Sequence, residues 1–255
     1  MMKKTLYFIL AGAAAAAVFA VMGNGRQESG SAQAPPEPQE SVKESVFKGE
    51  VITFGVYSAG IFKVGSGRLE LKGLIEEEGQ ACQHVDFKVN TLSVDDHETV
   101  IGRHDFALPV RVVRDIRVLG TDEDIVERYS ADGRRVVIDK RVEGREPEQT
   151  QIGSERPLGN VLLLIYRLRE DPGFAPGKTY DIVLPTMSFK LTVKEKRSLK
   201  VPLGNFDAFY IESVPKKYRI WLSDGPRRLP LRIQGLVAGG MAYLAATSVE
   251  PSLAE

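Results

Sequence analysis

Two sets of residues have the types that do chemistry, and their spacing limits what that chemistry is. The first is a histidine and carboxylate set: His97 and His104 stand among Asp95, Asp96, Glu98 and Asp105. Imidazole nitrogens and carboxylate oxygens are ligands for zinc or calcium. Their spacing makes no compact ligand motif: there is no His-x-His, no histidine pair at helical spacing and no second cysteine. His97, His104, Asp95 and Asp96 are therefore weak metal candidates, and Asp95-Asp96-His97-Glu98 reads as a solvated turn. A serine-hydrolase elbow, Gly-x-Ser-x-Gly, is absent. The glycines of "VGSGRLELKG" (Val64 to Gly73) lack the Lys-Ser/Thr partner of a phosphate loop and lie in a strand pattern. The acidic run "IEEEGQ" (Ile75 to Gln80) reads as a solvated loop between strands. Acid pairs of the glycosidase kind depend on tertiary geometry, and nothing in the sequence favours them. The sequence thus names no catalytic residue and implies no cofactor.

The second set is "IWLSDGPRRLPLRI" (Ile220 to Ile233), with the chain's one tryptophan, a Pro-Gly corner and three arginines. Read as a hairpin, Tyr218, Ile220 and Leu222 point one way, and Arg219, Trp221 and Ser223 the other. Asp224-Gly225-Pro226 makes the corner. Leu229, Leu231 and Ile233 rejoin the apolar face, opposite Arg228, Arg232 and Gln234. Two accounts fit Trp221. It is an aromatic plate covered by arginine, a contact worth about 0.5–2 kcal/mol. Or it is the centre of a recognition patch, with Arg219, Arg227, Arg228 and Arg232 offering guanidinium forks to carboxylate or phosphate.

Charge adds a second reason to look there. The 34 basic and 34 acidic side chains cancel, which argues against a nucleic-acid partner. The cancellation hides two poles. Lys190 to Arg232 holds eleven basic and four acidic residues, a net of +7; Glu70 to Asp132 holds fifteen acidic and seven basic, a net of −8. A basic pole favours a lipid or other amphiphile with an anionic head, another anionic envelope component, or an envelope protein. Ordinary solvated strand faces with weak cross-strand ion pairs give the same counts.

The elements that must position these groups begin after an export signal. Lys3 and Lys4 precede an uncharged, mostly apolar run from Thr5 to Gly23. This pattern reads as a secretory signal (residues 1–23), cleaved after Ala20 or Gly23. The location expected is periplasmic or secreted. The run is also long enough for an N-terminal membrane anchor if it stays uncleaved. Gly23-Asn24, not a cysteine, stands at its end, so the chain does not read as a lipoprotein. Cys82, the only cysteine, permits no internal disulfide and is expected to be a buried small residue. Residues 24–45 are rich in Pro, Ser, Gln and Glu, the composition of a disordered tether.

From residue 46 to about 250 the pattern is one β-rich domain, followed by a short tail (251–255). Period-two alternation with Gly, Asp and Asn corners marks strands at Glu50–Tyr57, Ile61–Leu74, Val85–Val94, Val110–Leu119, Ile125–Tyr129 and Arg134–Val142. A turn is expected at Ser58-Ala59-Gly60 and another at Ser130–Gly133. Strands resume at Thr179–Leu184, Ser188–Lys196, Phe206–Val214, Tyr218–Leu222, Leu229–Gly235 and Met241–Val249. One segment differs: "NVLLLIYRLR" (Asn160 to Arg169). Periodicity alone allows a buried strand. Asn160 as a cap, Pro172-Gly173 as a stop and the Leu-Tyr-Arg composition favour one short buried helix.

Four pieces in this order carry a family resemblance. They are the early Gly49-Glu50, "LLLIYRLR" (Leu162 to Arg169), "VPLGNFDAFYIE" (Val201 to Glu212) with Gly204 ahead of an aromatic, and the closing "IWLSDGPRRLPLRI". Together they resemble the bacterial exported family known as domain of unknown function 3108, across roughly Val46 to Val249. Two departures stand out. The family carries an aspartate and a serine ahead of its mid-chain tyrosine, where Gly159-Asn160 and Leu162-Leu163 stand here. Its hairpin has an extra acidic residue where Gly225-Pro226 stands. The resemblance implies a mainly antiparallel curved sheet or open half-barrel with a short helix against it, and export. It supplies no catalytic residues. The expected function is a non-enzymatic envelope module that holds an apolar or amphipathic ligand on the concave face of the sheet. The alternatives are a scaffold docking through the basic hairpin or a sheet edge and, last, a hydrolase of envelope polymers. No membrane-spanning segment is expected beyond the N-terminal signal.

Overall fold

The computed structural model describes residues 44–58, 62–235 and 242–251. The expected signal, the tether up to residue 43, the Ala59-Gly60 corner and the end of the tail lie outside the described residues. Ser45, the last residue of the expected tether, already donates from Oγ to Glu170 Oε1 at 2.6 Å.

Alternating sequence becomes fourteen strands. These are β1 (Val51–Ser58), β2 (Phe62–Glu77), β3 (Gln80–Thr91), β4 (Val94–Arg103), β5 (Pro109–Val118), β6 (Thr121–Tyr129), β7 (Arg135–Val142) and β8 (Glu148–Gly153), then β9 (Thr179–Leu184), β10 (Met187–Val201), β11 (Gly204–Val214), β12 (Arg219–Ser223), β13 (Pro230–Gln234) and β14 (Ala242–Glu250). All belong to one antiparallel sheet in the order β8-β7-β6-β5-β4-β3-β2-β1-β14-β13-β12-β11-β10-β9. Two meanders therefore meet where β14 returns to pair with β1. The sheet is open and curved: β8 and β9 are its two edges. The acidic segment lies on β2 to β6 and the basic one on β10 to β13, on opposite sides of the β1–β14 junction.

The helix α1 (Val161–Glu170) is the one element between the two meanders. Its start follows from Asn160, whose Oδ1 accepts from the amides of Leu162 at 2.7 Å and Leu163 at 3.3 Å. Val161, Leu162, Leu163, Leu164, Ile165, Tyr166, Leu168 and Arg169 are all buried. Only Arg167 and Glu170 reach solvent, and a helix buried around most of its circumference is a core element. Here it fills the hollow of the sheet and covers the apolar face that an open sheet would leave wet. Just before it, the Leu158 amide donates to Gly133 O at 2.8 Å and the Gly159 amide to Val183 O at 2.7 Å. One connector thereby bonds to both halves of the sheet.

Burying Arg169 requires a partner, and Glu50 supplies it. Arg169 Nη2 donates to Glu50 Oε1 at 2.9 Å, and Nη1 lies 2.6 Å from Oε2. Arg169 Nε donates to Arg227 O at 3.0 Å, and the guanidinium sits 3.8 Å over the Phe47 ring. The far end of the helix is thus pinned to the residue that leads into β1.

Three expectations change. Asp95-Asp96-His97-Glu98 is no turn; it lies in β4, where successive residues alternate between faces. "IEEEGQ" is no loop: Ile75 to Glu77 extend β2, Gln80 opens β3, and only Glu78 (φ 51°) and Gly79 (φ 75°) turn. Positive φ at both central residues matches the twist of a tight hairpin. The strand expected at Val85–Val94 ends at Thr91, and β8 was not foreseen. β8 is a mostly exposed polar edge, as edge strands are, so it carries little apolar alternation to read.

Replacing Arg169 by Ala leaves the Glu50 carboxylate buried beside Arg227 alone. We expect a loss of about 3 kcal/mol in denaturant unfolding. The double change Glu50→Leu and Arg169→Met recovers most of it, because no uncompensated charge remains.

Candidate functional site

Strand alternation brings one group of polar side chains to the inner face at the N-terminal end of α1. On β4, Asp96 and Glu98 share the face of Val94 and Val100. On β5, Arg114 lies opposite Glu98 in the ladder, and Ile125 of β6 lies opposite Arg114. Glu127 and Tyr129 follow on the same face of β6. With Asn160, Leu162, Phe87, Val112, Leu184, Pro185 and Tyr218 they line a cavity of about 60 Å³.

The bonds within it are specific. Arg114 Nε donates to Asp96 Oδ1 at 2.8 Å, its Nη2 bonds the other carboxylate oxygen, and Glu98 Oε2 lies 3.9 Å from Nε. Asn160 Nδ2 donates to Glu98 Oε1 at 3.0 Å, so the residue that caps α1 also ties it to β4. The Tyr129 hydroxyl donates to Glu127 Oε2. Three carboxylates face one guanidinium in a dry place. Burial pushes the Glu98 carboxyl up. Glu127 is pushed up to about 7, first by burial and then by the charge of Glu98, against the Tyr129 hydrogen bond. Burial and the Glu127 charge keep the Tyr129 hydroxyl protonated. The site carries surplus negative charge and welcomes a proton or a cationic group. It is too small for a sugar ring beside both carboxylates, being far below the roughly 300–1,000 Å³ of ordinary ligand pockets.

The residues expected from sequence fall elsewhere. Trp221 lies half-buried on the outer face, in a ladder of rings and guanidinium groups. Arg197 sits 5.2 Å over the Tyr210 ring, which packs 5.0 Å from Trp221. Arg232 lies 5.6 Å over Trp221 and 4.6 Å over Tyr243, which stacks on Tyr57 at 5.4 Å. Arg219 shares this face and reaches Gln234 Oε1 at 3.4 Å. Arg227 and Arg228 are not brought to Trp221. The corner after β12 folds over the C-terminal end of α1, whose last carbonyls need donors. Arg228 Nη1 donates to Asp171 O at 2.6 Å and Arg169 O at 2.9 Å; Arg227 Nη2 donates to Glu50 Oε1 at 2.5 Å.

The four metal candidates do not meet. Asp95 and His97 face away from Asp96 on the same strand. His97 Nε2 bonds Asp86 Oδ1 at 2.7 Å, Asp96 holds Arg114, and His104 offers its backbone carbonyl to Gln83 Nε2 at 3.2 Å. Among the described residues no three His, Cys, Asp or Glu side chains are placed to hold a metal ion. Cys82 is fully buried in β3. Sequence reasoning missed Arg114 and Glu127, and named Glu98 only as a neighbour of the histidines. Its available signal was parity: Glu127 shares the inward face of Ile125 and Tyr129.

The family described as Protein of unknown function (DUF3108) matches residues 52–244. None of the curated proteins matches. Among solved structures, a beta-barrel-like protein of domain of unknown function DUF1849 from Brucella abortus aligns at 9% identity and TM-score 0.47, covering 79% of this chain and 96% of that one. A candidate lipoprotein from Parabacteroides distasonis aligns at 10% identity and TM-score 0.30, covering 80% and 95%. A candidate exported protein with a YmcC-like fold from Bacteroides fragilis aligns at 8% identity and TM-score 0.27, covering 80% and 96%.

Two outcomes are expected. The raised Glu127 means that the native state holds its proton more tightly than the unfolded chain. Its contribution to stability is full below the usual 4.5 and is lost as pH rises through about 7. Glu127→Gln therefore raises Tm at pH 8 much more than at pH 5 in thermal unfolding. Trp221→Ala keeps one cooperative transition and costs about 1–2 kcal/mol, less than the roughly 3–5 kcal/mol of a fully buried aromatic; a collapsed transition would make Trp221 a core residue.

Proposed function

The chain belongs to the DUF3108 family of proteins of unknown function, and on that footing we propose that it is an exported, non-enzymatic envelope protein that holds the polar head of an amphiphile at the N-terminal end of α1. The observation that carries this reading is the cavity itself. Its apolar wall of Phe87, Val112, Leu162 and Leu184 meets Asp96, Glu98, Glu127 and Arg114. An amphiphile needs these two surfaces side by side. The surplus of carboxylates selects a head that donates hydrogen bonds or bears an ammonium group.

The reading narrows the expectation drawn from sequence. A ligand spread along the concave face is not accommodated, because α1 occupies that space with packed side chains. The head group and the first methylenes beside it enter, against the carboxylates and the apolar wall respectively, and the rest of the amphiphile's chain stays outside. Export rests on the N-terminal pattern of Lys3-Lys4 and the apolar run behind it. No helix among the described residues is long and apolar enough to cross a membrane. Docking through the basic hairpin is the weaker reading, since Arg227 and Arg228 are spent on Glu50 and the end of α1.

The test is native mass spectrometry of protein taken from the envelope under mild conditions, followed by extraction of whatever it carries. One bound amine-bearing amphiphile per chain is expected, lost in Glu98→Ala/Glu127→Ala. A chain that arrives empty, and whose Tm no amine-headed amphiphile raises, overturns the reading.

A further inference from the structure

Every large apolar side chain that the described residues leave mostly exposed lies in a turn or at a strand end, and their placement is uneven. There are five: Val46 (74% exposed), Phe62 (64%), Leu92 (101%), Leu119 (84%) and Val214 (63%). Val46 stands where the chain enters the sheet. The other four stand at the opposite end. Register shows this directly: Ser58 pairs with Phe62, Asn90 with Asp95, Val118 with Thr121, and Val214 with Lys190 near the start of β10. This is also the end that holds the N-terminus of α1 and the cavity, lined there by Pro185, Tyr218 and Gly235.

One of the tips breaks a local rule. The turn between β5 and β6 is Leu119-Gly120, with φ 51° and 87°. Such a hairpin turn wants Asn, Asp or Gly at its first position, because a side chain with φ above zero is strained. Leucine stands there instead and faces water. The neighbouring tip is Leu92-Ser93, held by Thr91, whose Oγ1 accepts from the Val94 amide at 3.0 Å. The Leu119 amide donates to Ser93 O at 3.0 Å, which locks the two tips side by side. Both leucines are displayed by rigid local bonding. The departure from turn chemistry at Leu119, which also exposes apolar surface, is of the kind found at functional or strained positions.

Lysines complete the pattern. Lys63 follows Phe62, and Lys216 and Lys217 follow Val214-Pro215; all three are exposed. Among the described residues none of the three forms an ion pair. Two of the four tips, Phe62 and Val214, carry ammonium groups beside them, while Leu92 and Leu119 stand near Asp95 and the Arg117–Asp122 pair. Single apolar side chains on separate tips, with lysines beside two of them, suit a fluid interface with anionic heads better than a rigid protein partner.

We infer that this end of the sheet docks on an anionic lipid surface, with Leu92, Leu119, Phe62 and Val214 entering the acyl boundary and Lys63, Lys216 and Lys217 meeting the head groups. The inference goes beyond the cavity reading and does not require an occupied cavity.

The test uses the full chain and reads each tip by itself, because the apolar N-terminal run would bind vesicles unaided. Leu92→Trp and Leu119→Trp are mixed with vesicles of phosphatidylglycerol and phosphatidylethanolamine carrying brominated acyl chains; Val46→Trp is the control at the other end. Emission at positions 92 and 119 is expected to shift to the blue and be quenched, while that at 46 is not. In a chain with Lys63, Lys216 and Lys217 all changed to Ser, tip insertion weakens by about fivefold per lysine. Leu119→Asn, better suited to φ 51°, keeps or raises Tm yet lowers insertion, which separates docking from folding. Unquenched tips overturn the inference. So does sedimentation showing a dimer that Leu92→Asp dissolves, since a second copy would then cover the tips. A chain that inserts its tips but carries no amphiphile contradicts only the cavity reading.

Discussion

A fourteen-stranded sheet that stays open has to keep one face dry, and here a single ten-residue helix does so. α1 is held at both ends by polar contacts that would be costly to bury unpaired. At its start Asn160 caps the first amides and bonds Glu98. At its finish Arg169 meets Glu50, with Arg227 and Arg228 closing over the last carbonyls. A buried ion pair adds little net stability, but breaking it is expensive. Its use here is positional, since it admits one seating of the helix against β1.

That seating decides what the inner face offers. With the hollow filled, the described residues leave a cavity where α1 begins, and the polar residues of β4, β5 and β6 converge there. The upward shifts of Glu98 and Glu127 come first from burial, and a neighbouring carboxylate adds to each: Asp96 for Glu98 and Glu98 for Glu127. Perturbed carboxyls of this kind accumulate at functional sites. The outer ladder of Arg197, Tyr210, Trp221, Arg232, Tyr243 and Tyr57 has the opposite character. Its rings and cations satisfy one another across six strands, which suits a stabilising surface.

The uneven ends follow from the topology. A meander places alternate hairpins at alternate ends, so one end collects the β3–β4, β5–β6 and β11–β12 turns together. Four of the five exposed large apolar side chains among the described residues gather at that end, beside the cavity. The same antiparallel arrangement that builds the sheet therefore gives the protein a distinct front.

Much of the fold was legible in the sequence because its signals are local. Period-two alternation marked most strands, and Asn160 with Pro172-Gly173 bounded the helix. Alternation also separated Trp221 from Ile220 and Leu222, since side-chain direction along a strand depends only on parity. It failed for β4 and β8, where charged or polar residues cover the faces and leave little apolar contrast. What only the tertiary structure decided was convergence. Glu98, Arg114 and Glu127 lie far apart in the chain and meet through strand order and register. Asp95, Asp96 and His97 are adjacent in the chain and part because a strand turns neighbours to opposite faces. Arg227 and Arg228 left the tryptophan for the helix because unsatisfied carbonyls and a buried carboxylate stood within reach, and no local pattern specifies which distant groups a side chain will find.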